Sequence, residues 1–164
     1  MAENLNIQSS IITVDKKTKI TIFKNQVSVK DEKNNQLLTE SAEYNKDLQI
    51  LKTFGKTTVM TSGGFTIEGQ DIFFDNNENY IKSDSPATVL DLEKNKIYLD
   101  NFKYSTSDGF FKSAGKIEII DSKNNKYKFS QIYIDEKKKE IVGTDSKAFL
   151  NQEDLKINKD NTTE

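Results

Sequence analysis

Four apolar columns recur through this chain at an interval of thirty residues. Val14, Tyr44, Phe74, Tyr104 and Ile134 form one column, and Ile12, Ala42, Ile72, Phe102 and Ile132 lie two residues ahead of it. Val29, Val59, Val89, Ile119 and Phe149 lie fifteen residues after it, and Leu37, Ile67, Ile97, Tyr127 and Ile157 lie twenty-three after it. A fixed period of this length marks one supersecondary unit stacked on copies of itself.

Polar stretches keep the same period. One set follows the first column: "DKKTK", "NKDLQ", "DNNEN", "STSDG" and "DEKKK". The other falls between the last two columns: "DEKNNQ", "TSGGFT", "DLEKNK", "DSKNNK" and "NQEDLK". Asp, Asn, Lys, Ser and Gly dominate both, as hairpin loops require. Each unit therefore holds two strands, one shorter (Leu37 to Tyr44) and one longer (Ile50 to Met60). Helical periodicity is hard to find, and β-branched and aromatic residues favour strands throughout. The expected fold is all-β, an antiparallel meander of about 10–11 strands over residues 7–157. Residues 1–6 and 158–164 are expected as flexible tails.

Parity within the strands adds a bend. Leu37 and Thr39 share one parity, whereas Ala42 and Tyr44 have the other. A slip of one residue signals a bulge or bend near the strand middle. The matching column in the long strands is Asn25, Gly55, Ser85, Gly115 and Asp145, all small or turn-tolerant, with the sole proline, Pro86, next to one of them. The sheet should then fold over itself along a line, with an apolar inside. One half would turn the Ile12 and Val14 columns inward, together with Leu51, Ile81, Phe111 and Ile141. The other would turn in the Val29 and Leu37 columns, with Val27, Thr57, Ile117, Gly69, Leu99 and Phe129. Lys52, Lys82 and Lys112 face out. The aromatic late repeats should be the tighter part, and the early ones, with Thr39, Ala42, Thr57 and Gly69, the roomier.

The chain of 164 residues suits one domain. Its net charge of -2 supplies no basic field, and all 24 basic residues are Lys, so nucleic acid is not an expected partner. There is no His and no Cys. The usual general base, the thiolate nucleophile and the commonest transition-metal ligands are therefore missing, and no catalytic residue, metal or cofactor is expected. Asp75 to Glu78, Asp135 and Glu136 read as solvated turn residues. "DNNEN" lacks the spacing of a calcium loop. No run of eighteen apolar residues occurs, so no bilayer-crossing helix is expected. No signal peptide is visible at Met1, which suits a cytosolic protein or a mature or truncated chain.

The units "ESAEYNKDLQILKTFGKTTV", "EGQDIFFDNNENYIKSDSPATV" and "LDNFKYSTSDGFFKSAGKIEI" resemble those of the OstA-like family of lipopolysaccharide transport proteins, over about Ile7 to Ile157. Within the family, "QIYIDEKKKEIVGTDSKAFLN" looks most like the N-terminal periplasmic domain of LptD, and LptA and LptC share the fold. The resemblance implies a folded antiparallel sheet (a β-taco or β-jelly roll) in the periplasm, associated with the outer membrane. It implies lipopolysaccharide acyl chains held in the apolar groove. It also implies other OstA-like domains paired at the edge strands, and an outer-membrane barrel as partner if the chain is of the LptD type. The chain lacks the cysteines that pin this domain to the barrel in some LptD proteins, and it lacks the barrel, so it reads as a fragment. The alternative is a self-assembling structural β-repeat protein, bactofilin- or adhesin-like, without a lipid ligand.

Overall fold

The computed structural model describes residues 4–151. Ile157, the C-terminal tail and the first three residues of the N-terminal tail lie outside that range. Among the described residues sixteen antiparallel strand segments combine into ten bent strands. β1 (Asn6–Gln8) and β2 (Ile11–Asp15) are the two arms of the first, and Asn6 already pairs with Lys30, so the N-terminal tail is shorter than expected. β3 (Ile20–Lys30) and β4 (Gln36–Asn45) run through the bend unbroken. β5 (Ile50–Thr53) with β6 (Lys56–Met60), β7 (Thr66–Gln70) with β8 (Phe73–Asp75), and β9 (Tyr80–Ser83) with β10 (Ala87–Leu90) are split by it. β11 (Lys96–Leu99) with β12 (Phe102–Ser105) follow, then the continuous β13 (Phe110–Ile120) and β14 (Lys126–Asp135), and finally β15 (Glu140–Thr144) with β16 (Lys147–Phe149).

The thirty-residue period has a simple anatomy. Strands of eleven residues, such as β3 and β13, alternate with strands of ten, such as β4 and β14. Turns of five residues alternate with turns of four. The extra residue of each long strand sits at the fold line. Lys24 pairs with Ser41 but Val27 with Thr39, so Asn25 and Gln26 stand against Glu40 alone. Gly115 and Lys116 likewise stand against Ser130. An extra residue on one strand bends it and sharpens its twist. The backbone takes left-handed angles there: φ is 63° at Asn25, 79° at Gly55 and 115° at Gly115. Repeated in each long strand, the bulge turns a flat meander into two facing half-sheets.

Side chains set the turns. Asp31 Oδ1 accepts the Lys33 and Asn35 backbone N–H groups at 2.9 and 2.8 Å, and the Asn35 amide returns to Asp31 Oδ2 at 2.8 Å. Asp91 with Asn95 and Asp121 with Asn125 repeat this cap. In the four-residue turns Asp15, Asn45, Asp75 and Asp135 accept the N–H groups two and three residues on. Each turn closes its own hairpin, so neighbouring strands find their register locally.

The last strand departs from the pattern. β15 and β16 keep one register against β14, with Thr144 on Gln131 and Lys147 on Lys128, so no extra residue is inserted. Ala148 therefore pairs with Tyr127 and takes the inward position. Phe149, expected inside, pairs with Lys126 and points outward, 53% exposed, with Lys128 Nζ 5.4 Å from its ring centroid. Asp145 still bends the strand (φ 53°), but by turning without inserting.

The apolar trough as candidate functional site

Residues directly opposite one another on antiparallel strands share a face. The register Val59–Ile67–Val89–Ile97–Ile119–Tyr127 therefore lines the inside of the half-sheet that ends in five-residue turns. The register Ala42–Thr53 and Tyr44–Leu51–Phe74–Ile81–Tyr104–Phe111–Ile134 lines the inside of the other half. Val29, Leu37, Leu51, Val59, Ile67, Phe74, Ile81, Val89, Ile97, Tyr104 and Phe111 are fully buried between the two. Val27, Ala42, Thr57, Gly69, Ile72, Leu99, Phe102, Ile117, Ile119, Ile132 and Ile134 are buried with them. Phe102 and Phe111 stack at 5.5 Å. Burial at this scale is the main stabilising term of the fold.

The two halves are skewed. Turns on one lip contact turns and strands much later in the chain on the other: Lys33 Nζ reaches Asn79 Oδ1 at 2.8 Å, and Thr61 reaches Glu136. The skew leaves one inner shelf uncovered at each end. At the N-terminal end Ile12 and Val14 lie on the inner face yet are 55% and 61% exposed. At the C-terminal end Tyr127 and Phe129, which follow Ile97 and Leu99 in the repeat, are only half-buried. Ile141, paired with Ile134, is on the inner face of the edge strand and is exposed. Gly143 has no side chain because the Phe129 ring folds over it.

The early repeats are not roomier. A Cβ at Gly69 would lie 3.2 Å from Ile72 Cδ1, 3.6 Å from the Ala87 Cβ and 3.8 Å from Phe102 Cε1, so the space is filled from the neighbouring strand and from beyond the crease. Thr57 and Thr39 are ties at the crease. Thr57 Oγ1 lies 2.7 Å from Thr53 Oγ1 and 3.2 Å from Thr39 Oγ1, Thr39 donates to the Lys56 carbonyl, and Thr53 accepts the Ile72 N–H. Their hydroxyls are satisfied where the sheet backbone is interrupted. An open groove of about 660 Å³ near the crease is lined by the outer-face residues Lys56, Glu68, Thr88, Tyr98 and Glu118 and also touches Gly69, Ala87 and Leu99.

Sequence reasoning places Glu136 among solvated turn residues; the fold buries it. Its carboxylate accepts the Thr61 hydroxyl at 2.5 Å and the Tyr104 hydroxyl at 2.9 Å. Burial pushes the Glu136 carboxyl above its ordinary range, against the two hydroxyl bonds that lower it. Burial first, and then the neighbouring Glu136 charge, raise the Tyr104 phenol, which stays protonated and donating. The signal was the turn "TSGGF", the one five-residue turn among the four with Thr and not Asp at its first position. The outer aromatics Phe73, Tyr80, Phe110 and Tyr133 also escape the periodicity argument. Phe73 and Tyr80 stack at 6.0 Å, Phe110 and Tyr133 lie tilted at 6.1 Å, and Lys103 Nζ stands 3.9 Å from the Tyr80 ring centroid.

No curated protein matches the chain. Among solved structures it is similar to LptH from Pseudomonas aeruginosa, described as the LptA homologous periplasmic component of the conserved lipopolysaccharide transport device. The two share 11% identity over 91% of this chain and 96% of that one, with a TM-score of 0.36. The model of the OstA-like protein family matches residues 3–160, and the chain belongs to that family.

Proposed function

We propose that the chain is a non-enzymatic lipid conduit that shields lipopolysaccharide acyl chains during periplasmic transport to the outer membrane, as the N-terminal domain of an LptD-type protein or as an LptA-type protein. The observation that carries this reading is the continuous apolar interior, which ends at the N-terminus in uncovered inner-face residues, Ile12 and Val14. Each buried methylene contributes roughly 0.8 kcal/mol, so an acyl chain of about a dozen carbons that entered the trough would bind strongly. Membership of the OstA-like family supports the same role.

The proposed partners are other OstA-like domains. Among the described residues β1 and β2 pair only with β3, and β15 and β16 only with β14, so each end of the described meander offers an edge for strand addition. An outer-membrane barrel would be a further partner of an LptD-type chain. Native mass spectrometry after addition of lipopolysaccharide tests the reading, with Tyr104→Asp as control. Retention by the parent and loss in the variant is the expected result. No retention by the parent, or equal retention by both, overturns it.

One observation favours a second reading. The central interior is already filled by its own side chains. A structural β-repeat protein that polymerises through its edges needs no more. Filament growth by a parent that retains no lipopolysaccharide in the same experiment would establish it.

A further inference from the structure

Besides the Lys33–Asn79 bond and a longer Tyr104–Asn35 contact of 3.4 Å, the lips of the trough are joined through a carboxylate that the turn itself does not require. Glu136 opens the four-residue turn between β14 and β15, and its backbone N–H donates to the Gly109 carbonyl at 3.1 Å. Its side chain leaves the turn and reaches the opposite lip. There Thr61, seventy-five residues earlier, donates its hydroxyl at 2.5 Å, while Tyr104, on Glu136's own half-sheet, holds the second oxygen at 2.9 Å. Glu136 is 9% exposed, Thr61 6% and Tyr104 0%.

Three departures from the repeat converge on this contact. The other described five-residue turns begin with Asp31, Asp91 and Asp121, whose carboxylates cap the fifth residue. At position 61 a threonine takes over the cap, accepting the Phe65 N–H at 3.0 Å, and its own proton remains for Glu136. An Asp there would set two carboxylates together in a buried site, which is strongly unfavourable. The second departure is Gly63, where a Cβ would collide with the Glu136 carboxylate. The third is Glu136 itself, which follows Lys16, Lys46, Asn76 and Thr106 in the same column. One ordinary cap has been exchanged for a cap plus a cross-mouth bond.

The contact joins side chains, not strands. Among the described residues separating the lips breaks no strand pairing, because each ladder runs along the sheet and not across the mouth. The crease, where bulges already interrupt the ladder, is the natural hinge.

We propose that the Thr61–Glu136 bond, positioned by Tyr104, is a releasable clasp on the trough: closed, it holds the lips over a filled interior, and its opening admits an apolar chain between the half-sheets. The identity of that chain rests on the conduit reading above; the closure does not.

Hydrogen–deuterium exchange by mass spectrometry, with bis-ANS as a soluble apolar probe, tests it on the whole chain. Glu136→Ala removes the bond, and Gly63→Ala wedges it open while keeping every polar group, so the question survives if the first variant folds poorly. The expected result is exchange about tenfold faster in residues 61–65 and 136–139, with β10 and β11 unchanged, and bis-ANS association about tenfold faster. Glu136→Gln, which retains an acceptor for Thr61, should restore most of the parent behaviour. Unchanged exchange in the two turns overturns the clasp. So does faster exchange with an unchanged probe rate. Loss of lipopolysaccharide retention by the parent would sink the conduit reading alone, because the exchange measurement contains no lipid.

Discussion

At position 136 a buried carboxylate replaces the lysine, asparagine and threonine found at the same point of the other four-residue turns, and this gives the fold an unusual pH dependence. Burial raises the Glu136 pKa in the folded state. The unfolded chain therefore loses this proton first as pH rises, and the folded state binds it longer. Stability should fall as pH climbs from the ordinary value of 4.5 through the raised folded value, then level off. Asp121 runs the other way. Burial raises it, but the Asn125 side chain and backbone, the Lys123 N–H and the Tyr127 hydroxyl outweigh this and lower it. Its contribution is present above the ordinary carboxylate range and lost as pH falls through the lowered value. Urea midpoints across acidic to neutral pH should show both slopes, and Glu136→Gln should flatten only the first. Tyr104→Phe leaves the carboxylate one donor short and is expected to cost about 1–3 kcal/mol at neutral pH by the same measurement.

At the scale of the strand, one residue decides which face looks inward. The long strands carry an extra residue at the crease; β15 and β16 do not, and Phe149 points out as a result. Insertion of one glycine after Asp145 should restore the bulge and turn the aromatic inward. Because the chain has no cysteine, a Phe149→Cys background reports this directly: thiol labelling should be fast without the insertion and several-fold slower with it. The crease also depends on backbone conformation. Gly55 has a φ of 79° and nothing within 4 Å of where a Cβ would stand. Gly55→Ala is therefore expected to cost roughly 1–3 kcal/mol through the dihedral alone, read as a lower urea midpoint with an unchanged slope.

At the scale of the molecule, the skew of the two half-sheets determines what is core and what is surface. Leu51 and Ile12 occupy inner columns of the same half-sheet, yet Leu51 is fully buried and Ile12 is 55% exposed. Leu51→Ala should cost about 2–5 kcal/mol in chemical denaturation, as a large truncation in a packed core does. Ile12→Ala should cost less than about 1 kcal/mol. Equal costs would mean that another surface covers the N-terminal shelf in solution.

The period, the strand order, the turns and the crease were legible in the chain because each is a local matter. Alternation fixes the face, Asp and Asn fix the turn, and Gly or Asn fixes the bulge, all within a few residues. Neighbour pairings such as Val59 with Ile67 followed from hairpin closure. The relation between the half-sheets was not legible, because no hairpin spans the mouth and no periodicity records an offset between layers. The tertiary structure alone decided that Ile12, Val14 and Ile141 would be uncovered, and that Ile72, Ala87 and Phe102 would fill the space beside Gly69. It alone brought Thr61 and Glu136 together. A charged turn residue looks solvated from its neighbours in sequence; only the packing of one lip against the other takes the water away.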